Sequence, residues 1–405
     1  IMRSLKTNFE GLSILKYLCS FFLSRGVIFF APLTLLFVGA DELYIQLEAA
    51  LGLAILLSAL LMGGQSVVLV LMNSSDESVE NIKSLKLSLL LRSLPFALFA
   101  ITFSSHNFAL TSSFVSMIVI QTALSSLFKV KGHRIRGLIT ETSLHFIVLC
   151  FGFFMYQAIN FDQNIKLPMI IGSVSILMVL CELKADNFQI RRALNIDFEL
   201  VKRGLSFFMT GCTLVIASTF PRTMLPVIEV LEDQVIYASN FRFAMVGLLV
   251  HQLLAGYIFK DLYKKEIFYI IKVAFFSGLL VFFTSLTSMT IIESDLFLTQ
   301  MELPSLGAFY LTLIFAFNIS LISILSFVEI SLQRINISIL SRLILLTTSI
   351  ASLILFWLGS MEHDITINNL MMAHSLLLCV LLVISSFIIS VNYRTHIGID
   401  LKHKF

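Results

Sequence analysis

The sequence contains little charge. Only 13% of its 405 residues are Asp, Glu, Lys or Arg, while 58% are hydrophobic and the mean hydropathy is +0.94. Soluble domains usually carry about a quarter charged residues, so this composition excludes an ordinary soluble fold. Twelve spans of roughly 21 residues would leave no room for a sizeable soluble domain. The composition therefore predicts an all-α integral membrane protein.

Residues that hold metals, disulfides or nucleotides are also scarce. The five cysteines all lie inside apolar runs, and none has metal-ligand spacing, so neither a disulfide framework nor a zinc site is expected. The chain has no GxxxxGK[ST] loop and no Gly-rich phosphate cradle. We therefore expect no metal and no cofactor. The first apolar stretch, 11–39, is too long for a signal peptide and predicts a retained first helix.

Twelve apolar runs are long enough to span a bilayer. The first six lie at 11–38, 44–72, 87–104, 108–128, 137–159 and 167–183. The second six lie at 204–228, 236–259, 267–292, 305–328, 338–360 and 368–391. These runs predict two six-helix bundles. The predicted parts are an N-terminal bundle at 1–183, a cytoplasmic linker at 184–203, a C-terminal bundle at 204–391 and a cytoplasmic tail at 392–405.

The charges alternate between successive connections. Basic residues fill every second connection and the C-terminal tail, for example Lys129, Lys131, Arg134 and Arg136. The intervening connections are acidic, for example Glu229, Glu232 and Asp233. Because Lys and Arg collect on the cytoplasmic side of a membrane, this alternation predicts an even number of spans with both termini in the cytoplasm.

The two halves of the chain share landmarks. A Phe-Glu step opens each half, at 9–10 and at 198–199, and an acidic outer loop precedes a tyrosine in each, at Tyr44 and Tyr237. The offset is about 190 residues in both cases, which indicates a parallel duplication. Transporters are commonly built from such repeats, with the transport path between them.

Two segments resemble a known family. Residues 25–71, with the outer loop GADELY, resemble the first helical hairpin of polysaccharide flippases. Residues 220–253, with the loop EDQVIY, resemble the hairpin that opens their second half. In length, helix count and loop brevity the chain is similar to a Wzx-type O-antigen flippase of the multidrug/oligosaccharidyl-lipid/polysaccharide (MOP) exporter superfamily.

This resemblance implies a function in lipopolysaccharide biosynthesis. A member of that family translocates an undecaprenyl-pyrophosphate-linked oligosaccharide, the O-antigen repeat unit, from the cytoplasmic to the periplasmic face of the bacterial inner membrane by alternating access. Its other expected partners are membrane lipid and further glycan-assembly membrane proteins, with no nucleic acid. It is a transporter and not an enzyme.

Arg25 is the first candidate for substrate binding, because it lies near the middle of the first helix. A charge in a span costs about 2.5–3.5 kcal/mol on insertion scales, so such residues usually face protein or water. Ser13, Tyr17, Ser20 and Ser24 form a polar stripe beside it. The guanidinium suits a pyrophosphate or an acidic sugar. The alternative is an arginine that pairs with another helix for assembly.

Four further residues are candidates for substrate binding. Arg222 and Arg242 lie in the outer halves of the seventh and eighth spans; they either face a cavity or extend to the outer acidic residues. Gln121 and Gln252 are uncharged polar residues inside spans, and interhelical hydrogen bonding is their alternative role.

Three residues are candidates for coupling transport to a cation. His251 follows Arg242 by nine residues, half a turn out of phase in a continuous helix, so both cannot face one cavity. The two possible roles of His251 are proton coupling and polar packing between helices. Glu141 and Glu329 lie near the inner ends of helices. There each acid has two possible roles: it binds a coupling cation, or it pairs with nearby bases such as Arg136 or Arg334.

Two other functions stay open beside the flippase. A cation-coupled multidrug exporter would favour a buried carboxylate in mid-span for a cationic substrate. A membrane-embedded glycan polymerase, lipid-linked glycosyltransferase or acyltransferase would commonly need a long outer loop or an intramembrane group of acids and histidines. The outer segment 293–304 is only about a dozen residues long, which argues against the enzymes.

Overall fold

The computed structural model describes residues 2–65, 79–157, 163–185, 198–262, 266–292, 309–334, 337–361 and 365–402. These residues form thirteen α-helices and one 3₁₀ turn, with a single isolated β-bridge and no strand among them. Ten of the described helices are long and apolar enough to cross a membrane. The predicted all-α class agrees with this architecture, and the chain is a multi-pass membrane protein.

The chain divides into two compact units, Ile1–Gly204 and Leu205–Phe405. The first unit contains α1 Met2–Phe37, α2 Asp41–Met62, α3 Val79–Thr102, α4 Phe108–Val130, α5 Arg134–Gln157 and α6 Gln163–Ala185. The second contains most of α7 Phe198–Thr223, the 3₁₀ turn Leu225–Val227, α8 Leu231–Ala244, α9 Gly247–Leu262, α10 Ile267–Ile292, α11 Phe309–Arg334, α12 Ile339–Ser360 and α13 Ile367–Lys402. Of the predicted linker 184–203, residues 186–197 lie outside the described part.

Helix α4 is the central helix of the first unit. Its apolar window is 83% buried, against 33–50% for the other five candidate spans of that unit. It packs on α2, α3, α5 and α6, and Met62, Leu85 and Val119 belong to one apolar cluster at this contact. Helix α1 packs along α5, where a Cβ on Gly152 would lie 2.2 Å from Thr34 Oγ1. Only glycine permits so close a helix contact at this position.

Helix α11 has the corresponding role in the second unit. Its apolar window is 72% buried, against 17–39% for the three other candidate spans of that unit. It packs on α10 and α13, and the Ser320 hydroxyl donates to the Gly278 carbonyl at 2.8 Å. Phe275, Phe276 and Phe283 of α10 are each about 60% exposed. Such an outer surface suits lipid as the solvent.

Three predicted spans differ from the observed helices. The run 204–228 is not one helix, because α7 ends at Thr223 and a 3₁₀ turn follows at Leu225–Val227. The run 44–72 is not one helix, because α2 ends at Met62 and Gly63 and Gly64 have φ values of 54° and 73°. Left-handed backbone of this kind ends helices. Of that run, residues 66–72 lie outside the described part.

The predicted helix 236–259 is interrupted, since α8 ends at Ala244 and α9 begins at Gly247. A Cβ on Gly247 would lie 2.1 Å from Ser285 Oγ of α10, and this hydroxyl donates to the Ala244 carbonyl at 2.7 Å. The neighbouring helix thus replaces a backbone bond lost at the break.

Candidate functional site

Arg25 and Glu141 form an ion pair inside the first unit. Helix α1 carries Arg25 and α5 carries Glu141, and Arg25 Nη2 lies 3.2 Å from Glu141 Oε2. The two side chains are 16% and 24% exposed. Lys129 of α4 contacts the other oxygen of Glu141. The alternative in which Glu141 pairs with basic residues fits this geometry. Its partners are Arg25 and Lys129 of two other helices, and Arg136 is exposed.

The ion pair leaves part of the Arg25 guanidinium unused. A guanidinium has five N–H donors, and Nη2 makes the one hydrogen bond that Arg25 forms among the described residues. The buried Nε–H has no acceptor there. The charged group also lies 5.4 Å from the ring centroid of Phe21, within cation–π distance. Arg25 therefore both links two helices and retains donors for an anion.

Gln121 links α4 to α5. It is 6% exposed, and its Nε2 donates to Ser143 Oγ at 2.8 Å. This geometry matches the interhelical hydrogen bond that was the alternative to sugar binding.

Three further charged groups of the first unit escaped the sequence analysis as site residues. Lys86 of α3 pairs with Glu182 of α6 at 2.7 Å. Arg92 of α3 donates to the Leu61 carbonyl at 3.1 Å. A cation beside the last carbonyls of α2 also opposes the negative end of the helix dipole. These pairs join residues far apart in the chain, so no local pattern indicates them.

Arg222 and Arg242 belong to the second unit. Arg222 Nη2 lies 3.2 Å from Met245 Sδ, and its guanidinium carbon is 5.7 Å from the ring centroid of Phe241. Arg242 is only 3% exposed.

His251 occupies a cluster of hydroxyl groups. Its Nδ1 lies 2.9 Å from Ser323 Oγ and 3.5 Å from Ser277 Oγ, and its Nε2 lies 2.8 Å from Ser326 Oγ. The cluster joins α9, α10 and α11. The adjacent Gln252 is exposed. The helix break at 245–246 separates His251 from Arg242, so the phase calculation that kept them apart does not apply.

Glu329 borders a small cavity in the second unit. The lining includes Thr210 and Thr213 of α7 and Ser385 of α13, and the rest is apolar. The cavity has a volume of about 20 Å³, which suits about one water molecule. Glu329 Oε1 accepts a hydrogen bond from Gln333 Nε2 at 3.0 Å. In sequence, Thr210, Thr213 and Ser385 resemble any other hydroxyl in an apolar helix.

No family model, curated protein or solved structure matches this chain. Any function must therefore be argued from the sites themselves, because one fold supports many functions.

The predicted site residues thus fall into separate groups. Arg25 and Glu141, predicted for substrate binding and for coupling, are in direct contact. His251 and Glu329 belong to different clusters, although α11 carries Glu329 one turn after Ser326. Among the described residues, no group of three or more His, Cys, Asp or Glu side chains is placed to hold a metal.

Proposed function

We propose that the protein is a flippase that carries an undecaprenyl-pyrophosphate-linked oligosaccharide from the cytoplasmic to the periplasmic face of the bacterial inner membrane. It would cross the membrane twelve times, keep both termini in the cytoplasm and work by alternating access. Ten described helices that can span a membrane, the alternating charge of the connections and the resemblance of two hairpins to polysaccharide flippases support this proposal.

The partly used guanidinium of Arg25 is the observation that carries the proposal. A lipid-linked sugar has a pyrophosphate that loses water when it enters a membrane-spanning path. A guanidinium replaces that water with paired, charge-assisted hydrogen bonds. Arg25 has a buried Nε–H without an acceptor in the described part and holds a single carboxylate.

Lys129 makes an exchange at Arg25 feasible. Glu141 contacts both cations. When a phosphate binds Arg25, Glu141 keeps Lys129 as its partner, so no carboxylate is left alone in a low-dielectric region. The membrane potential, negative inside, favours outward movement of two phosphate charges by roughly 4–5 kcal/mol at 100 mV.

A multidrug exporter is the second candidate function, and Glu329 is the observation that favours it. A carboxylate inside a span suits a cationic substrate. The cavity beside it, however, has a volume of only about 20 Å³, far below the roughly 300–1,000 Å³ of typical drug-sized pockets. For the enzyme alternative, the outer segment 293–304 lies outside the described residues.

A gene deletion tests the proposal in cells. We expect the deletion strain, without a redundant exporter, to lose its surface glycan and to accumulate the lipid-linked repeat unit inside. A polymerase defect would instead leave single repeat units on the outer face. Normal surface glycan in the deletion strain would contradict the proposal.

Complementation tests the role of Arg25. We expect Arg25→Ala to restore less than about a tenth of glycan export, because it removes the donors that bind the phosphates. Arg25→Lys should restore part, since it keeps the charge but not the paired donors. Lys16→Ala is the matched control, because Lys16 is an exposed cation on the same helix. If inserted Arg25→Ala protein exports at the wild-type rate, Arg25 does not bind the substrate.

A further inference from the structure

A dense group of exposed bases lies on the hairpin between α4 and α5. Its members are Lys131, Arg134 and Arg136, and residues 129–140 contain no Asp or Glu. None of the three bases forms an ion pair within the described part of the chain. The hairpin therefore presents three positive charges that an anion from outside the described structure can balance.

Lys129 is a fourth base of the hairpin, but it serves the interior of the first unit. It contacts Glu141, which also holds Arg25. That ion-pair group is complete without Arg134 or Arg136. The three outer bases are therefore separate from the site around Arg25.

Backbone contacts fix the shape of the hairpin. Gly132 has a φ of 84°, a left-handed conformation that ends a helix and that glycine adopts most easily. The His133 N–H donates to the Phe128 carbonyl at 2.8 Å across this turn. Helix α5 begins at the next residue, Arg134. The bases are thus held on a tight turn between two packed helices, and a ligand does not have to order a long loop.

An exposed apolar stripe of α5 starts at the same hairpin. Ile135, Ile139 and Phe146 are 38%, 64% and 56% exposed. At about 100° per residue, the three side chains fall within a sector of roughly 40°. Arg134 and Arg136 lie about 100° to either side of Ile135, so they flank the stripe where it meets the hairpin.

A phospholipid matches both parts of this surface. Helix α5 is a candidate span that begins at Arg134, so the bases stand at the end of a span, at the level of the headgroups. A guanidinium binds phosphate through paired, charge-assisted hydrogen bonds. Each Lys or Arg near the membrane surface raises the affinity for anionic lipid by about fivefold. A free phosphate has the charge but covers none of the apolar stripe.

We infer that the α4–α5 hairpin and the stripe of α5 bind one anionic phospholipid. Its phosphate lies at Lys131, Arg134 and Arg136, and its acyl chains run along Ile139 and Phe146. The site belongs to the first unit alone and does not rest on the proposed function. A lipid held there fixes the hairpin ends of α4 and α5 to the headgroup layer.

Native mass spectrometry of the purified full-length protein in detergent tests the site. Phosphatidylglycerol and phosphatidylcholine are titrated separately, without any lipid-linked sugar. We expect one phosphatidylglycerol per chain to bind at least about tenfold more tightly than phosphatidylcholine. The difference should shrink as the salt concentration rises, because salt screens exposed charges. Glycerol phosphate, which lacks acyl chains, should not displace the lipid at an equal concentration.

Two double variants form a matched pair. Arg134→Gln with Arg136→Gln, and Lys83→Gln with Lys184→Gln, each remove two exposed cations from the first unit. The two proteins therefore have the same net charge. The second pair lies on α3 and α6, where the acid Glu182 is also present. At about fivefold per base, the arginine variant should bind phosphatidylglycerol roughly 25-fold more weakly, and the lysine variant should change less than about twofold.

Arg134→Lys with Arg136→Lys keeps the test decisive if the glutamine variant fails to fold, which size-exclusion chromatography and circular dichroism would reveal. This variant keeps the charge but not the paired donors, so we expect a several-fold loss that is smaller than the loss in the glutamine variant. Three outcomes would overturn the site: equal affinity for the two lipids, equal losses in the matched variants, and displacement of the lipid by glycerol phosphate. Because the assay contains no glycan substrate, none of these outcomes decides the flippase proposal.

Discussion

Glu141 and Glu329 are carboxylates in candidate spans of the two units, and their surroundings differ. In the first unit, Glu141 contacts Arg25 and Lys129, so three helices meet at one paired carboxylate. In the second, Glu329 contacts the amide of Gln333 and borders a cavity lined with hydroxyls. An intramembrane acid therefore closes a helix contact where neighbouring helices supply cations, and borders a small cavity where they supply only neutral oxygens.

Two glycines show the same difference in packing. Gly152 brings α5 so close to α1 that a Cβ would lie 2.2 Å from Thr34 Oγ1. Gly211 of α7 faces α11 more loosely, because its Cβ would lie 3.7 Å from Glu329 Oε1. The contact between α1 and α5 has no spare volume, whereas the contact between α7 and α11 adjoins the cavity beside Glu329.

The largest predicted effect would break the comparison between the two acids. Glu141→Leu leaves Arg25 and Lys129 without their carboxylate, so we expect a loss of about 2–3 kcal/mol, below the loss for a fully buried pair. Glu329→Leu puts an apolar side chain among leucines and should be neutral or stabilising. Thermal unfolding followed by circular dichroism should show a fall of several degrees only for Glu141→Leu.

A double variant checks the cause of that loss. Arg25→Leu combined with Glu141→Leu should recover part of the stability, since neither charge is then left alone. Equal destabilisation by Glu141→Leu and Glu329→Leu would contradict the contrast.

Gly152→Ala is predicted to have the second-largest effect. The added methyl group collides with Thr34, whose hydroxyl already donates to the Ala31 carbonyl at 2.6 Å. We expect a loss of about 1–2 kcal/mol, as for other overpacked contacts. Thr34 Cβ would also lie 2.9 Å from the new methyl group, so the relieving change is Thr34→Gly. Gly152→Ala combined with Thr34→Gly should unfold at a temperature near that of Thr34→Gly alone. A persistent loss of stability in this double variant would show that the strain does not come from Thr34.

Ser326→Ala sharpens the comparison within the second unit. The change removes the partner of His251 Nε2 while Ser323 keeps Nδ1, so we expect a loss of about 1 kcal/mol. Thermal unfolding followed by circular dichroism should show this loss of stability. An unchanged unfolding temperature would contradict a stabilising role for the hydroxyl cluster around His251.

Gly211→Ala is predicted to have the smallest effect, and its sign should be opposite to that of Gly152→Ala. The new methyl group meets ordinary van der Waals distance, and alanine is the better helix former by up to about 1 kcal/mol. We expect an unchanged or slightly raised unfolding temperature. A destabilisation equal to that of Gly152→Ala would show that α7 and α11 are packed as tightly as α1 and α5.

Helix positions followed from the sequence where long apolar runs end at polar residues. The run 267–292 coincides with α10, and 108–128 lies within α4. Both calculations need only the local hydropathy. The interruption of 236–259 could not be predicted in this way, because no proline marks it. Its cause lies on another helix, at Ser285 of α10.

The candidate sites were harder to predict, since their geometry joins distant segments. Arg25 stood out as a charge in a span, but its partner Glu141 lies 116 residues away. Glu329 was recognised as a coupling candidate, while Thr213 and Ser385 had no distinguishing pattern. Hydroxyls are common in apolar helices, and only the packing of α7, α11 and α13 brings these two to one cavity.

The broken eighth span has a mechanical consequence. Ser285 and Ser288 of α10 donate to the Ala244 and Phe243 carbonyls, at 2.7 Å and 3.3 Å. Straightening α8 and α9 into one continuous helix would give up both hydrogen bonds. A movement of α8 that leaves α10 in place would also cost them, so these contacts favour movement of the two helices as one body.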